Sequence, residues 1–214
     1  PVDLAESAIH RDIEITPDIK PIWGLDVARF GTDKTALCKR YGNVVTDIEA
    51  WQGLDLMQTV GRVMAEYENL SPSLRPSEIL VDSIGVGGGV VDRLRELGAP
   101  VRGINVGEAP AMGKTYMNLR SELWFKAKGW LEDRSCKLPK DEQLLAELTA
   151  IRYSFTSSGK MKAESKDEMR KRGLKSPDLA DALCLTMASD AATALSGSNM
   201  NWKKPIKRNL KGIA

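Results

Sequence analysis

Apolar and polar positions alternate with a period of two over IWGLDVA (22–28), TALCKR (35–40) and NVVTDIEAW (43–51), separated by the turns Gly31-Thr32-Asp33-Lys34 and Tyr41-Gly42. Three short runs joined by tight turns predict an antiparallel meander. Between 55 and 68 the period changes, with Leu56, Val60, Val63 and Tyr67 at helical spacing. EILVDS (78–83) reads as a buried strand, and a glycine cluster from Gly85 to Gly89 leads into a helix bearing Val90, Val91, Leu94 and Leu97 that Gly98 stops. VRGINV (101–106) predicts another strand. Helices follow through Leu119, Leu123, Ala127 and Trp130 and through Leu144, Leu145 and Leu148. IRYSF (151–155) and KMKAE (160–164) predict a hairpin, and Ser165 with Glu168 a capping box opening a short basic helix that Gly173 ends. Ser176-Pro177, a cap followed by proline at the first helical position, opens a last helix to about Ala188.

This order predicts an α/β fold: a central mixed five-stranded sheet, three antiparallel strands then parallel ones joined by right-handed crossovers, with helices on both faces and an additional hairpin. Residues 1–20 are polar, closed by Pro17 and Pro21, and read as a linker or arm; 21–190 form the domain; 191–214 turn Gly, Ser and Asn rich and then basic, as a tail would.

Composition narrows the chemistry. With 214 residues, 42% hydrophobic and 28% charged, the chain suits one globular domain. No apolar run approaches the roughly 20 residues that span a bilayer, so no membrane partner is expected. Cys38, Cys136 and Cys184 are odd in number and far apart, unlike a disulfide framework or zinc site. His10 is the single histidine, which argues against Ser-His or Cys-His catalysis and leaves acid, base and metal chemistry to carboxylates and lysines. The net charge of +2 says little, but Lys203, Lys204, Lys207, Arg208 and Lys211 cluster without an acid among them.

Four carboxylates stand out. Asp26 interrupts an apolar strand between Leu25 and Val27, and Ile22, Gly24 and Ala28 on its face offer no compensation. It either pairs with a base such as Arg29 or Lys34 or serves as a ligand, because an unpaired buried charge is costly. Asp82 ends a buried strand, where ligands of α/β sheets collect, although an Asx turn would also account for it. Asp178 and Asp181, spaced by three, share a helical face. The helix dipole explains Asp178 in the first turn and explains Asp181 less well. Acids converging at one sheet edge repel unless cations bind. Hard oxygen ligands without His or Cys suit Mg²⁺ or Mn²⁺. Two such ions about 3.5–4 Å apart would clamp an in-line phosphoryl displacement.

GLDVARFGTDKTAL, ILVDSIGVGGGVVDRL and ESKDEMRKRGLKSPDLADAL resemble the nuclease domain of tailed-phage terminase large subunits, in the RNase H-like (retroviral-integrase-like) superfamily. The resemblance spans about residues 21–190, its last segment being the most specific. It implies an RNase H-like fold and a two-metal endonuclease that cuts concatemeric double-stranded DNA during genome packaging. It also implies a portal protein, a small terminase subunit and an ATPase domain N-terminal to Pro1 as partners, with 1–20 as the connection. The implied location is the cytoplasm of an infected bacterium, transiently at the procapsid portal, and not the mature virion. The family's metal ligands correspond to Asp26, Asp82 and either Asp178 or Asp181. Many relatives have His-Asp-Asp before the last helix where this chain has Ser-Pro-Asp, so the last ligand stays open between the two.

Lys160, Lys162 and Lys166 precede the last acids and would hold DNA phosphates or form a solvated basic face. The terminal lysines would track DNA, dock on a partner or solubilise. GEAPAMGKT (107–115) misses the P-loop spacing by one residue, and the Gly85–Gly89 cluster misses the dinucleotide spacing, a tight turn for close approach to DNA or metal fitting it better. GLDVARFGTDKT also resembles the phosphate loop of RNase H-like phosphotransferases and ATPases of the actin and sugar-kinase group, which need two similar halves. A non-catalytic DNA- or portal-docking domain is the third possibility.

Overall fold

The computed structural model describes residues 1–16, 18–28 and 33–189. β1 (Ile22–Asp26), β2 (Thr35–Tyr41) and β3 (Val44–Trp51) form the expected antiparallel meander. β4 (Glu78–Asp82) and β5 (Val101–Ile104) continue the sheet in parallel from the other side of β1, giving the order β3-β2-β1-β4-β5. β1 is therefore paired on both edges, and every one of its residues is buried.

Alternation along the central strands sorts side chains between two faces. Trp23, Leu25, Ile79 and Val81 meet Val60, Val63, Val90 and Leu94 of α2 (Leu56–Asn69) and α3 (Gly87–Glu96) in one apolar cluster. Burial of each such side chain contributes roughly 1.5–3 kcal/mol relative to exposure. Gly24, Asp26, Leu80 and Asp82 take the opposite face, beneath α7 (Asp178–Leu185), which is itself backed by α4 (Leu119–Glu132) and α5 (Glu142–Ala150).

Two glycines set how close the helices come. A Cβ on Gly24 would stand 2.1 Å from the Ala182 carbonyl oxygen, so glycine lets the α7 backbone press directly on β1. A Cβ on Gly87 would lie 1.8 Å from the Asp82 carbonyl oxygen. The close approach expected of that glycine cluster toward DNA or metal is thus made to the protein's own β4, and α3 begins inside the cluster.

Residues 1–20, expected as a linker or arm, include α1 (Val2–Ile9), whose Ala5 and Ala8 are buried against α4 and α5. The Leu138 N–H donates to the Ala8 carbonyl at 3.0 Å and the Arg11 guanidinium to the Cys136 carbonyl at 3.0 Å. Two alanines seat the helix without producing an apolar period strong enough to read. The last helix also begins one residue later than expected: Pro177 is the N-cap, and it supplies no side-chain cap. β6 (Tyr153–Phe155) and β7 (Met161–Ala163) form the hairpin, followed by α6 (Lys166–Lys171) with the Ser165/Glu168 capping box in place. The three cysteines are buried free thiols.

Candidate active site

Asp26 is the last residue of β1, Asp82 the last of β4, and these parallel neighbours end at the same sheet edge. α7, seated on Gly24, brings its first turn over that edge. Asp26, Asp82 and Asp181 line one cleft of about 280 Å³, together with Arg120, Trp124, Ser165 and Lys166. Asp178 lies behind, on the wall of a second cavity that also includes Lys34, Glu147 and Ser176.

Each carboxylate has a defined set of partners. The Lys166 Nζ stands 2.8 Å from Asp26 Oδ2 and 3.5 Å from both Asp178 Oδ1 and Asp181 Oδ2. Lys166 reaches this point because the Ala163 N–H donates to Ser121 Oγ at 3.0 Å, which pins the end of β7 to α4 just before α6 starts. Arg120 Nη2 donates to both Asp181 oxygens at 3.0 and 3.2 Å, and its other terminal nitrogen donates to the Glu164 carbonyl. The Trp124 indole N–H donates to Asp181 Oδ1 at 2.7 Å. Asp178 Oδ2 accepts from the Lys34 N–H at 2.8 Å, whereas its buried Oδ1 accepts no hydrogen bond. Asp82 Oδ1 accepts from the Ile84 N–H at 3.0 Å, so the Asx turn exists and the same carboxylate also borders the cleft.

Burial dominates the electrostatics. It raises the Asp26 carboxyl to about 7, against the opposing pull of Lys166 and with the help of the neighbouring Asp181 and Asp178 charges. Burial likewise raises Asp82 and Asp178. Lys166 is pushed well up by the acids around it, overcoming a desolvation that would lower it, so it stays charged. The cluster holds more negative charge than the site comfortably solvates, with two cations as counterweight.

Among the described residues no three acidic, thiol or imidazole groups already converge as a metal cage. The donor set nevertheless fits a hard divalent cation: carboxylates only, shared burial, raised proton affinities and, in Asp178 Oδ1, a buried oxygen that faces Lys166 at 3.5 Å without a hydrogen bond.

The four expected acids therefore meet at one sheet edge, three in one cleft and Asp178 adjoining. Asp26 pairs with Lys166 and not with Lys34; Arg29 lies outside the described residues. Lys166, expected on a phosphate-holding or solvated basic face, is inside the acid cluster. Lys160 and Lys162 stand on the hairpin, outside the cleft lining. Lys203, Lys204, Lys207 and Arg208 lie outside the described residues. The stretch 107–115 is a series of turns, with α4 starting only at Leu119 behind an Asn118 cap, which is not a phosphate cradle opening a helix. Sequence reasoning missed Arg120 and Trp124. They flank the apolar stripe of α4 at a spacing of four, a signal visible only when that helix is known to back the last one.

A scan against protein-family models and a search of curated proteins found no match. Among solved structures, the nuclease domain of the large terminase subunit gp2 of bacterial virus Sf6 has a TM-score of 0.73 at 22% identity, covering 88% of this chain and 97% of that one. A mutant of that domain was solved with manganese and beta-thujaplicinol. The large terminase nuclease of thermophilic phage G20c with bound magnesium has a TM-score of 0.66 at 18% identity, over 88% and 96% of the two chains. The nuclease domain of the Thermus phage P74-26 large terminase has a TM-score of 0.62 at 16% identity, over 86% and 92%. The chain has the fold of the nuclease domains of phage large terminase subunits.

Proposed function

We propose that this domain is a divalent-metal-dependent endonuclease that hydrolyses phosphodiester bonds of double-stranded DNA, cutting concatemeric viral genomes as they are packaged. The observation that carries this reading is the convergence of Asp26, Asp82 and Asp181 on one cleft at the carboxyl edge of a sheet with this fold. Asp26, Asp82 and Asp181 would hold Mg²⁺ or Mn²⁺, two ions in all, with Asp178 adjoining. When bound, such ions polarise the scissile phosphate and lower the pKa of an attacking water.

The chain's own groups prepare that site. Arg120 and Trp124 fix the Asp181 carboxylate, and the Ile84 N–H orients Asp82. Lys166 balances the charge of Asp26, Asp178 and Asp181. Lys160, Lys162 and the terminal lysines would contact the DNA backbone, and among the described residues no helix resembles a base reader, so cutting should show little sequence preference. In this reading an ATPase domain precedes Pro1, with portal and small terminase subunit as partners in the infected cell's cytoplasm. Among the described residues no helix is long and apolar enough to cross a membrane.

The test is nicking of supercoiled plasmid with Mg²⁺ or Mn²⁺ by the isolated domain. Wild type should cut, chelator should stop it, and Asp26→Asn should abolish it with the fold intact. Cleavage unaffected by Asp26→Asn would place the chemistry elsewhere. ATP turnover that Lys114→Ala removes would favour the phosphotransferase reading instead.

A further inference from the structure

The first turn of a helix leaves backbone N–H groups without intrahelical acceptors, and a side chain at the N-cap normally takes one of them. α7 lacks that device, because Pro177 stands at its N-cap with no side-chain hydrogen bond. Yet this is the turn that carries Asp178, and Asp181 follows immediately. The missing acceptor comes from a different helix. Glu147 of α5 reaches across, and its Oε2 accepts the Ala180 N–H at 2.9 Å. Its other oxygen is held by the Gln143 amide, one turn earlier on α5, at 2.7 Å. Glu147 and Asp178 share the wall of the second cavity.

This arrangement is an odd one for stability alone. Burial pushes the Glu147 carboxyl up to about 7, with the nearby Asp178 charge adding to the rise. A carboxyl set beside another acid is a poor choice if the only need is to stop a helix end from fraying. It is a sound choice if the need is to fix where the first turn of α7 sits over β1. Ala180 lies between the two acids of that turn, so the bond to Glu147 acts on both.

We propose that Glu147 is a positioning residue for the metal site, capping α7 from α5 and so setting where Asp178 and Asp181 stand relative to Asp26 and Asp82. Its side chain lines the second cavity and not the cleft shared by Asp26, Asp82 and Asp181. The inference rests on the nuclease reading above and concerns how its ligands are held.

The test measures Mn²⁺ binding to the purified domain by titration calorimetry and by the electron paramagnetic resonance of free Mn²⁺, with thermal melting recorded in parallel without metal. Glu147→Ala should weaken Mn²⁺ binding about tenfold, as loss of an outer partner of a metal ligand does. Glu147→Gln keeps a carbonyl acceptor at the same reach and should bind within about twofold of wild type. Should Glu147→Ala fail to fold, Glu147→Asp, one methylene too short to reach the Ala180 N–H, takes its place with the same expected loss. A purely structural role predicts lower melting temperatures with unchanged Mn²⁺ affinity, and that result overturns the proposal. Equal loss in Glu147→Ala and Glu147→Gln overturns it as well, because charge and not the capping bond would then matter. If wild type binds no Mn²⁺ and does not differ from Asp26→Asn, the metal-nuclease reading itself fails and this inference falls with it.

Discussion

The two faces of the central sheet are built on opposite plans. Beneath α2 and α3, Trp23, Leu25, Ile79 and Val81 are sealed by valines, leucines and a methionine, and charge comes in only at the border, where Lys39 lies over the Trp23 ring and pairs with Glu66 of α2. Beneath α7, one residue further along the same strands, Asp26 and Asp82 meet two more acids, a lysine and an arginine. The first face gains its stability from transfer of apolar surface out of water. The second spends some of that gain on buried charge, each acid tolerable only because a cation or N–H sits against it. Even the helix approach differs, since α7 touches β1 through the bare backbone at Gly24. One strand can thus carry stability in Leu25 and chemistry in Asp26.

Substitutions on either side should separate these roles. Leu25→Ala, at a fully buried position, should cost about 2–5 kcal/mol in urea unfolding while the folded fraction keeps its Mn²⁺ affinity. Asp82→Asn should reduce plasmid cleavage at least about a hundredfold. The asparagine carbonyl still accepts the Ile84 N–H, so stability should move by less than about 1 kcal/mol. A large stability loss from Asp82→Asn, or lost metal binding in folded Leu25→Ala, would mean that the faces are not separable.

Within the charged face, the two acids of α7 should differ as well. Asp181 lines the cleft with Asp26 and Asp82, whereas Asp178 lies behind it. Asp181→Asn should lose cleavage even at high Mn²⁺, and Asp178→Asn should be down about tenfold and recover with added metal. The reverse ranking would make Asp178 the direct ligand.

The apolar face was legible in the sequence almost throughout, because period-two and period-3.6 patterns report burial by apolar neighbours. The four acids were marked too: Asp26 as a charge inside an apolar run, Asp82 by its place at a strand end, and Asp178 and Asp181 as a pair on one helical face. What could not be read was the pairing. Lys166, Arg120 and Glu147 are ordinary charged residues on helices, and only the packing of α4 and α5 on α7, with α6 following the hairpin that is pinned to α4, turns them inward. Arg40 is a further case: a charge in phase with the buried Ala36 and Cys38 on β2, it is buried too, donating to the Thr186 hydroxyl and carbonyl at 2.8 Å each and to the Gly42 carbonyl. α1 was missed for the opposite reason, its buried residues being alanines too small to mark a stripe.

The charged face should also make stability depend on pH, with a definite sign. Burial raises Asp26 from 3.8 and Glu147 from 4.5, both to about 7. A carboxyl with a higher pKa folded than unfolded contributes stability fully present below its unfolded value and lost as pH rises through its folded one. The metal-free domain should therefore melt at progressively lower temperature from about pH 4 to 7, its stability falling by on the order of a few kcal/mol overall. Mn²⁺, binding the deprotonated acids, should offset much of that fall. Asp26→Asn should make the metal-free profile shallower, leaving the share of Glu147, and a profile that rises with pH in wild type would contradict the picture of a charge-strained face.

The smallest expected effect tests whether the hairpin beside the charged face meets DNA. Each lysine that neutralises a phosphate contributes about 0.9 to the slope of log affinity against log salt. Lys162 is already engaged, its Nζ 2.7 Å from Glu168 Oε1, and that ion pair holds the Glu168 carboxyl down at about 2, together with the Ser165 backbone and hydroxyl. Lys160 has no such acid among the described residues; its backbone N–H donates to Thr156 Oγ1 at 3.0 Å. Lys160→Ala should therefore lower the slope by about 0.9, and Lys162→Ala by clearly less. Glu168→Gln sharpens the comparison. The glutamine can still accept the Ser165 N–H of the capping box, so α6 should keep its start while Lys162 loses its counter-charge. The slope should then increase by up to about 0.9 as Lys162 becomes available to phosphate. Binding to catalytically silent Asp26→Asn protein, measured by fluorescence anisotropy across a salt series, reads all three without cleavage interfering. Slopes unchanged in every variant would remove the hairpin from the DNA path and leave its lysines as a solvated face.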